Sequence, residues 1–172
     1  MAGRQGKQTV RNMLWSMAVI ALVAGSIYIF IPHDDSKSPV KRVDYRVELL
    51  TARRAAAYPV VAPEGLAKTW KPTSVRFDAS KGDSWHLGYL DPSGEYVAVK
   101  QSTAKPVKFI EEATQRAVRT KATEKIGGQT WHRYEGQTYD ALVREDKGAT
   151  TVVAGTASFG QLTEMAQALK AS

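Results

Sequence analysis

Residues 13–31 read MLWSMAVIALVAGSIYIFI, nineteen positions without a charged, amide or imidazole side chain. As a helix this run would be about 28 Å long at ~1.5 Å per residue, close to the ~30 Å hydrocarbon core of a bilayer. Trp15 and Tyr28 lie near its two ends, where amphipathic rings favour the membrane interface. Pro32 stops it, and His33, Asp34 and Asp35 follow. A cleaved signal peptide is the competing reading, but its apolar region usually has only about 7–15 residues. The small-residue cluster Ala24-Gly25-Ser26 is followed by further apolar residues rather than a polar mature start. The run therefore predicts an uncleaved signal anchor.

Charge then sets the orientation. The 172-residue chain carries a net +7. Residues 1–12 hold Arg4, Lys7 and Arg11 and no acid, so the positive-inside rule predicts a cytoplasmic N-terminal tail. The remainder is expected outside the cytoplasm, where its 21 basic and 17 acidic side chains nearly balance. That placement excludes nucleic acid as a partner. The absence of cysteine excludes disulfides, thiolate metal sites, a cysteine nucleophile and a lipidated N-terminal cysteine. Residues 32–42, PHDDSKSPVKR, have the composition of a short tether. Residues 43–172 contain three Trp, six Tyr and three Phe, so they can bury a core.

Within 43–172 the pattern predicts an α+β domain. An antiparallel sheet would be packed by about two to three helices, preceded by the one transmembrane helix. Residues 47–57 fit either a strand by alternation or a helix by propensity, and helix is preferred. Tyr58–Ala62 and Thr73–Phe77 read as extended. Trp85–Leu90 and Glu95–Gln101 flank Asp91-Pro92-Ser93-Gly94, a β-hairpin signature. Trp85, Leu87 and Tyr89 would share one face. Pro106 opens a helix expected to run to about residue 119, with Val107, Ile110, Ala113 and Ala117 as its apolar stripe. Gln129–Tyr134, Tyr139–Glu145 and Thr150–Gly155 read as three strands. Ser158 with Gln161 predicts a capping box, and Leu162, Met165, Ala166 and Leu169 an apolar stripe. The stretches beginning Trp85-His86 and Trp131-His132 look alike, as a weak duplication or by coincidence.

No catalytic constellation emerges, and the chain is expected not to be an enzyme. His86 and His132 each follow a Trp on a predicted strand and so point to the opposite face; no acid stands at metal-ligand spacing from either. Gly82-Asp83-Ser84 resembles one esterase class's nucleophile triplet, but the late catalytic Asp/His pair is missing, and a loop is the simpler reading. There is no nucleophile elbow, phosphate loop or dinucleotide fingerprint. Glu111 and Glu112 are helix neighbours about 100° apart and form no glycosidase pair. No catalytic, cofactor-binding or metal residue is expected, and no cofactor. Two candidate surfaces stand. Arg116, Arg119, Lys121 and Lys125 would meet an anionic surface such as lipid headgroups or wall polymers, or else serve as ordinary cations at a helix C-terminus. Trp70, Trp85 and Trp131 would line a ligand groove, or else fill the core.

Several spaced motifs then agree with one family. They are Pro63-x-Gly65-Leu66, Trp70-x-Pro72-Thr73-Ser74, Trp85-x-Leu87-Gly88-Tyr89, Gln101-Ser102, Gly128-x-x-Trp131, Leu142-Val143-Arg144 and Thr150-Thr151-Val152-Val153-x-Gly155-Thr156-Ala157. With the N-terminal apolar run, nearly the whole chain resembles the actinobacterial family known as domain of unknown function 4245. The resemblance implies a single-pass cell-envelope membrane protein and supplies no site residues. A more distant resemblance is to PsbP-like domains, where a Tyr followed by Pro-x-Gly similarly opens the domain; it bears on fold alone. The expectation is therefore a non-enzymatic binding or accessory module of the envelope, anchored in the bilayer through 13–31. It would meet an envelope protein, lipid or wall polymer. The alternative is a small-ligand or lipid carrier with an aromatic-lined pocket.

Overall fold

The computed structural model of the chain describes residues 5–30, 41–146 and 148–171. Arg4 of the basic tail, His33 and most of the expected tether (32–40), and Lys147 lie outside them. The chain divides into two compact units, Met1–Pro39 and Val40–Ser172.

The first unit contains α1, Gln5–Phe30. Its described side chains are residues 12–24 and Ser26. The serine hydroxyls donate back to the helix, Ser16 to the Met13 carbonyl at 2.9 Å and Ser26 to that of Leu22 at 2.7 Å. Among the described residues no helix is long and apolar enough to cross a membrane, so the span expected over 13–31 is not established by the structure.

The second unit is built on a seven-stranded sheet. Its strands are β2 (Lys71–Asp78), β3 (Ser84–Leu90), β4 (Tyr96–Ser102), β5 (Val118–Ile126), β6 (Gln129–Glu135), β7 (Asp140–Asp146) and β8 (Ala149–Gly155). The order is β2-β3-β4-β8-β7-β6-β5, antiparallel throughout. Two meanders thus meet at β4 and β8. The β3–β4 hairpin forms where its turn residues predict. Asp91 is buried and accepts from the backbone N–H of Ser93 and Glu95, each at 2.8 Å.

Alternation sorts the side chains onto two faces. One carries Trp85, Leu87, Tyr89, Val97, Val99, Leu142, Val153 and Trp131, all buried in the main core. It is covered by α2 (Arg46–Ala55), by α4 (Phe159–Ala168) and by a ribbon of β1 (Val61–Pro63) and β9 (Leu169–Ala171). The helical reading of 47–57 is thereby the correct one. The other face packs Tyr134, Ala141, Val143, Val152 and Ala154 against Ile110 and Ala113 of α3 (Pro106–Ala113).

Three expectations are corrected. The middle helix ends at Ala113 instead of about 119. Gln115 and Arg116 turn the chain with positive φ, and residues 118–126 form β5 against β6. Pairing with β6 outweighs helix propensity here, and Ala117 packs beside α3's core rather than on its stripe. The capping box is also absent. Ser158 is the N-cap of α4 but makes no side-chain cap bond, and Gln161 Oε1 is buried without a partner among the described residues. Leu169 begins β9 instead of extending the helical stripe.

Gly155 is where β8 meets the hairpin. A Cβ there would lie 1.8 Å from the Tyr96 carbonyl oxygen, a backbone atom that cannot swing aside. Gly155→Ala should destabilise the protein by about 2 kcal/mol or more, as overpacking of a core does; chemical denaturation measures it. Since the second unit owns a complete core, a fragment of residues 40–172 should unfold in one cooperative thermal transition.

Candidate functional site

Helix α3 is only eight residues long, about 12 Å at ~1.5 Å per residue. It lies over β8 and leaves its face of β2 and β3 unroofed. Between the helix edge and β3–β4 lies a groove of about 550 Å³. Phe109, Ala104 and Ala113 supply apolar wall; Lys81, Lys105 and Lys108 stand around it; Ser84, Ser102, His86 and Lys100 come from the strands.

Two half-buried basic groups define its chemistry. Lys100 is half-buried, and burial lowers its pKa. Its Nζ donates to the Ala113 carbonyl at the end of α3, 3.1 Å away, the end where a helix dipole favours a cation. Among the described residues no carboxylate forms an ion pair with it. His86 stands directly opposite Lys100 in the β3–β4 register. Its Nε2 lies 3.1 Å from Ser74 Oγ and 3.3 Å from Tyr96 OH. Burial, then the charges of Lys100 and Arg76, lower its pKa to about 4, so the ring is neutral at pH 7. Gly88 makes this cluster possible, because a Cβ there would fall 2.4 Å from Ser74 Oγ and 2.8 Å from Tyr96 OH. The described groove wall contains four lysines against one carboxylate, Glu112, which pairs with Lys108 at 3.8 Å.

The sequence-predicted residues are distributed differently. Trp70, Trp85 and Trp131 are all buried in the main core. Trp70 Nε1 donates to Glu164 Oε1 at 3.1 Å, Trp85 Nε1 to the Val61 carbonyl at 3.1 Å, and Arg144 lies over the Trp131 ring. Of the three, Trp85 borders the groove beside α3 although its ring is buried in the main core, and Trp70 and Trp131 are not among the walls of that groove. The cation cluster does not sit at a helix end. Arg116 meets Glu111 at 3.6 Å, and Arg119 Nη2 lies 2.9 Å from His132 Nδ1. Lys121 and Lys125 are exposed on the edge strand β5, where lysines and a register irregularity hinder edge-to-edge pairing.

Gly82-Asp83 form a turn that leads into Ser84, the first residue of β3. Gly82 and Asp83 both have positive φ, Asp83 Oδ2 accepts from the Ala57 N–H at 3.1 Å, and His86 contacts Ser74 rather than Ser84. Among the described residues no carboxylate hydrogen-bonds His86, and no three His, Asp or Glu side chains gather as metal ligands would.

The sequence raises His86 both as a metal ligand and as a catalytic residue, and assigns Lys100 no role. A signal existed: Lys100 interrupts the apolar run of a hairpin strand. The helix-edge residues Lys105, Lys108 and Phe109 had none, since their partner is the sheet.

The low His86 pKa has a consequence for stability. Its unfolded value is the ordinary 6.5, so between about pH 6.5 and 4 the unfolded chain binds more protons than the folded one. Stability must fall as pH falls through that window. Thermal melts at pH 7 and 4.5 should show a larger drop in Tm for the wild type than for His86→Gln; equal drops would remove His86 from this role.

No curated protein and no solved structure matches the chain. A family model described as protein of unknown function DUF4245 matches residues 5–169, nearly the whole length, and the chain belongs to that family.

Proposed function

We propose that this chain is a membrane-tethered, non-enzymatic binding module of the actinobacterial cell envelope, and that its ligand is an amphipathic molecule seated in the groove beside α3. The groove carries this reading. It has an apolar wall of Phe109, Ala104 and Ala113 and a polar floor of Ser84, Ser102, His86 and Lys100, the mixture of apolar lining and few placed polar groups that small-molecule sites use. His86 is made a weak base by its lowered pKa and has no carboxylate hydrogen bond among the described residues, which favours binding over general-base catalysis.

The anchor reading is supported by the uncharged run 13–31, by the basic residues before it and by the serine hydroxyls satisfied within α1, as a helix in lipid requires. An alkaline-phosphatase fusion after residue 40 should be active in intact cells; an inactive fusion would sink the orientation.

For the groove, native mass spectrometry of the 40–172 fragment purified from its own host should find a bound amphiphile. Ala104→Trp places a large ring at the groove mouth from an exposed position. It should release the ligand with a stability change within about 0.5 kcal/mol. A ligand retained at full occupancy in that variant would place the site elsewhere.

A further inference from the structure

The strand register sets three basic side chains in one row. Arg76 on β2 pairs with His86 on β3, and His86 pairs with Lys100 on β4. Arg76 and Lys100 flank His86 from the two neighbouring strands, and their charges, after burial, hold it in its neutral form. Among the described residues the row holds one ion pair, Arg76 with Asp78, 3.9 Å apart and on the exposed side. The inner member, Lys100, spends one of three N–H donors on the Ala113 carbonyl, leaving two donors. Lys81, Lys105 and Lys108 add positive charge around the same groove.

We infer that the sheet end of the groove is an anion subsite, in which Lys100 and His86 bind the acidic head of an amphiphile whose apolar part lies along Phe109 and Ala113. This rests on the groove reading above and names the ligand's charge. An anion is the partner that offsets the positive charge that Lys100 and the surrounding lysines gather at the groove, and a charge-assisted hydrogen bond in a half-buried site is among the stronger polar contacts.

The subsite also couples binding to protonation. The groups facing His86 are Ser74 and Arg76 from β2 and Tyr96 and Lys100 from β4. Lys108 and Glu112 of α3 share its groove. None of these supplies it with a carboxylate hydrogen bond. A bound anion favours the charged imidazolium and raises its pKa. Binding therefore takes up a proton, and affinity rises as pH falls from 7 toward 5.

The probes are hexyl sulfate, which stays a monoanion across this range, and the neutral hexyl glucoside. Equilibrium dialysis uses the full chain in phosphatidylcholine nanodiscs, with empty nanodiscs subtracted. Hexyl sulfate should bind about tenfold or more tighter than hexyl glucoside, the factor expected of one charged hydrogen bond. Lys100→Met should remove that preference, and His86→Gln should abolish the tightening between pH 7 and 5. The second variant keeps the test decisive if the first does not fold. At pH 7, hexyl phosphate against hexanoate distinguishes a phosphate head from a carboxylate one, and tighter binding of either supports the subsite. Equal binding of the sulfate and the glucoside would overturn the anion subsite while leaving the groove reading intact. Binding of neither would overturn both. A sulfate affinity unchanged in both variants would place the anion elsewhere and overturn the assignment.

Discussion

The folded unit of residues 40–172 depends on how the backbone of Val61 is satisfied inside the core. Val61 is buried, and its N–H and carbonyl both point at the sheet. Gln101 Oε1 accepts from the N–H at 2.8 Å, and Trp85 Nε1 donates to the carbonyl at 3.1 Å. Gln101 also donates to Thr151 Oγ1, 3.2 Å away on the adjoining strand. A buried peptide group left unpaired costs about 1–3 kcal/mol. These two side chains therefore allow β1 to lie flat on the sheet, and β9 then pairs with β1 at the end of α4. One face of the sheet is sealed by this arrangement.

The opposite face has no such seal. There α3 covers only part of the sheet, and the β2–β3 side stays open. Polar residues consequently populate that side: Ser74, Arg76, His86, Tyr96 and Lys100 occupy positions whose counterparts on the sealed face are Val75, Phe77, Trp85, Val97 and Val99. The candidate site follows from this asymmetry. A helix running on to about residue 119, as the sequence suggests, would have extended α3's stripe. The chain instead turns at Gln115 and Arg116 and gains the pairing of β5 with β6.

Legibility in the sequence tracks the range of the interactions. The β3–β4 hairpin, the strands over 129–155 and the apolar stripe of α4 were readable because turn chemistry and periodicity are local. The end of α3 is not legible locally, because only the distant β6 makes 118–126 a strand. The capping box failed although its two residues stand at the right spacing, since side-chain geometry at a buried helix start answers to packing. Trp70, Trp85 and Trp131 were open between groove and core because periodicity assigns a face without saying what covers it. Lys100 and His86 were visible as residues and invisible as a pair, because strand register is not written in either strand alone.

By itself the sequence determined an uncharged run behind a basic tail, an α+β domain without cysteine, and membership of a family recognisable over nearly its whole length. These depend on composition and short-range periodicity, which need no partner. The tertiary structure alone decided which face is sealed, where α3 stops and which basic residues stand side by side. Each of those depends on contacts between segments tens of residues apart, and a short helix beside an open sheet face has no local signature.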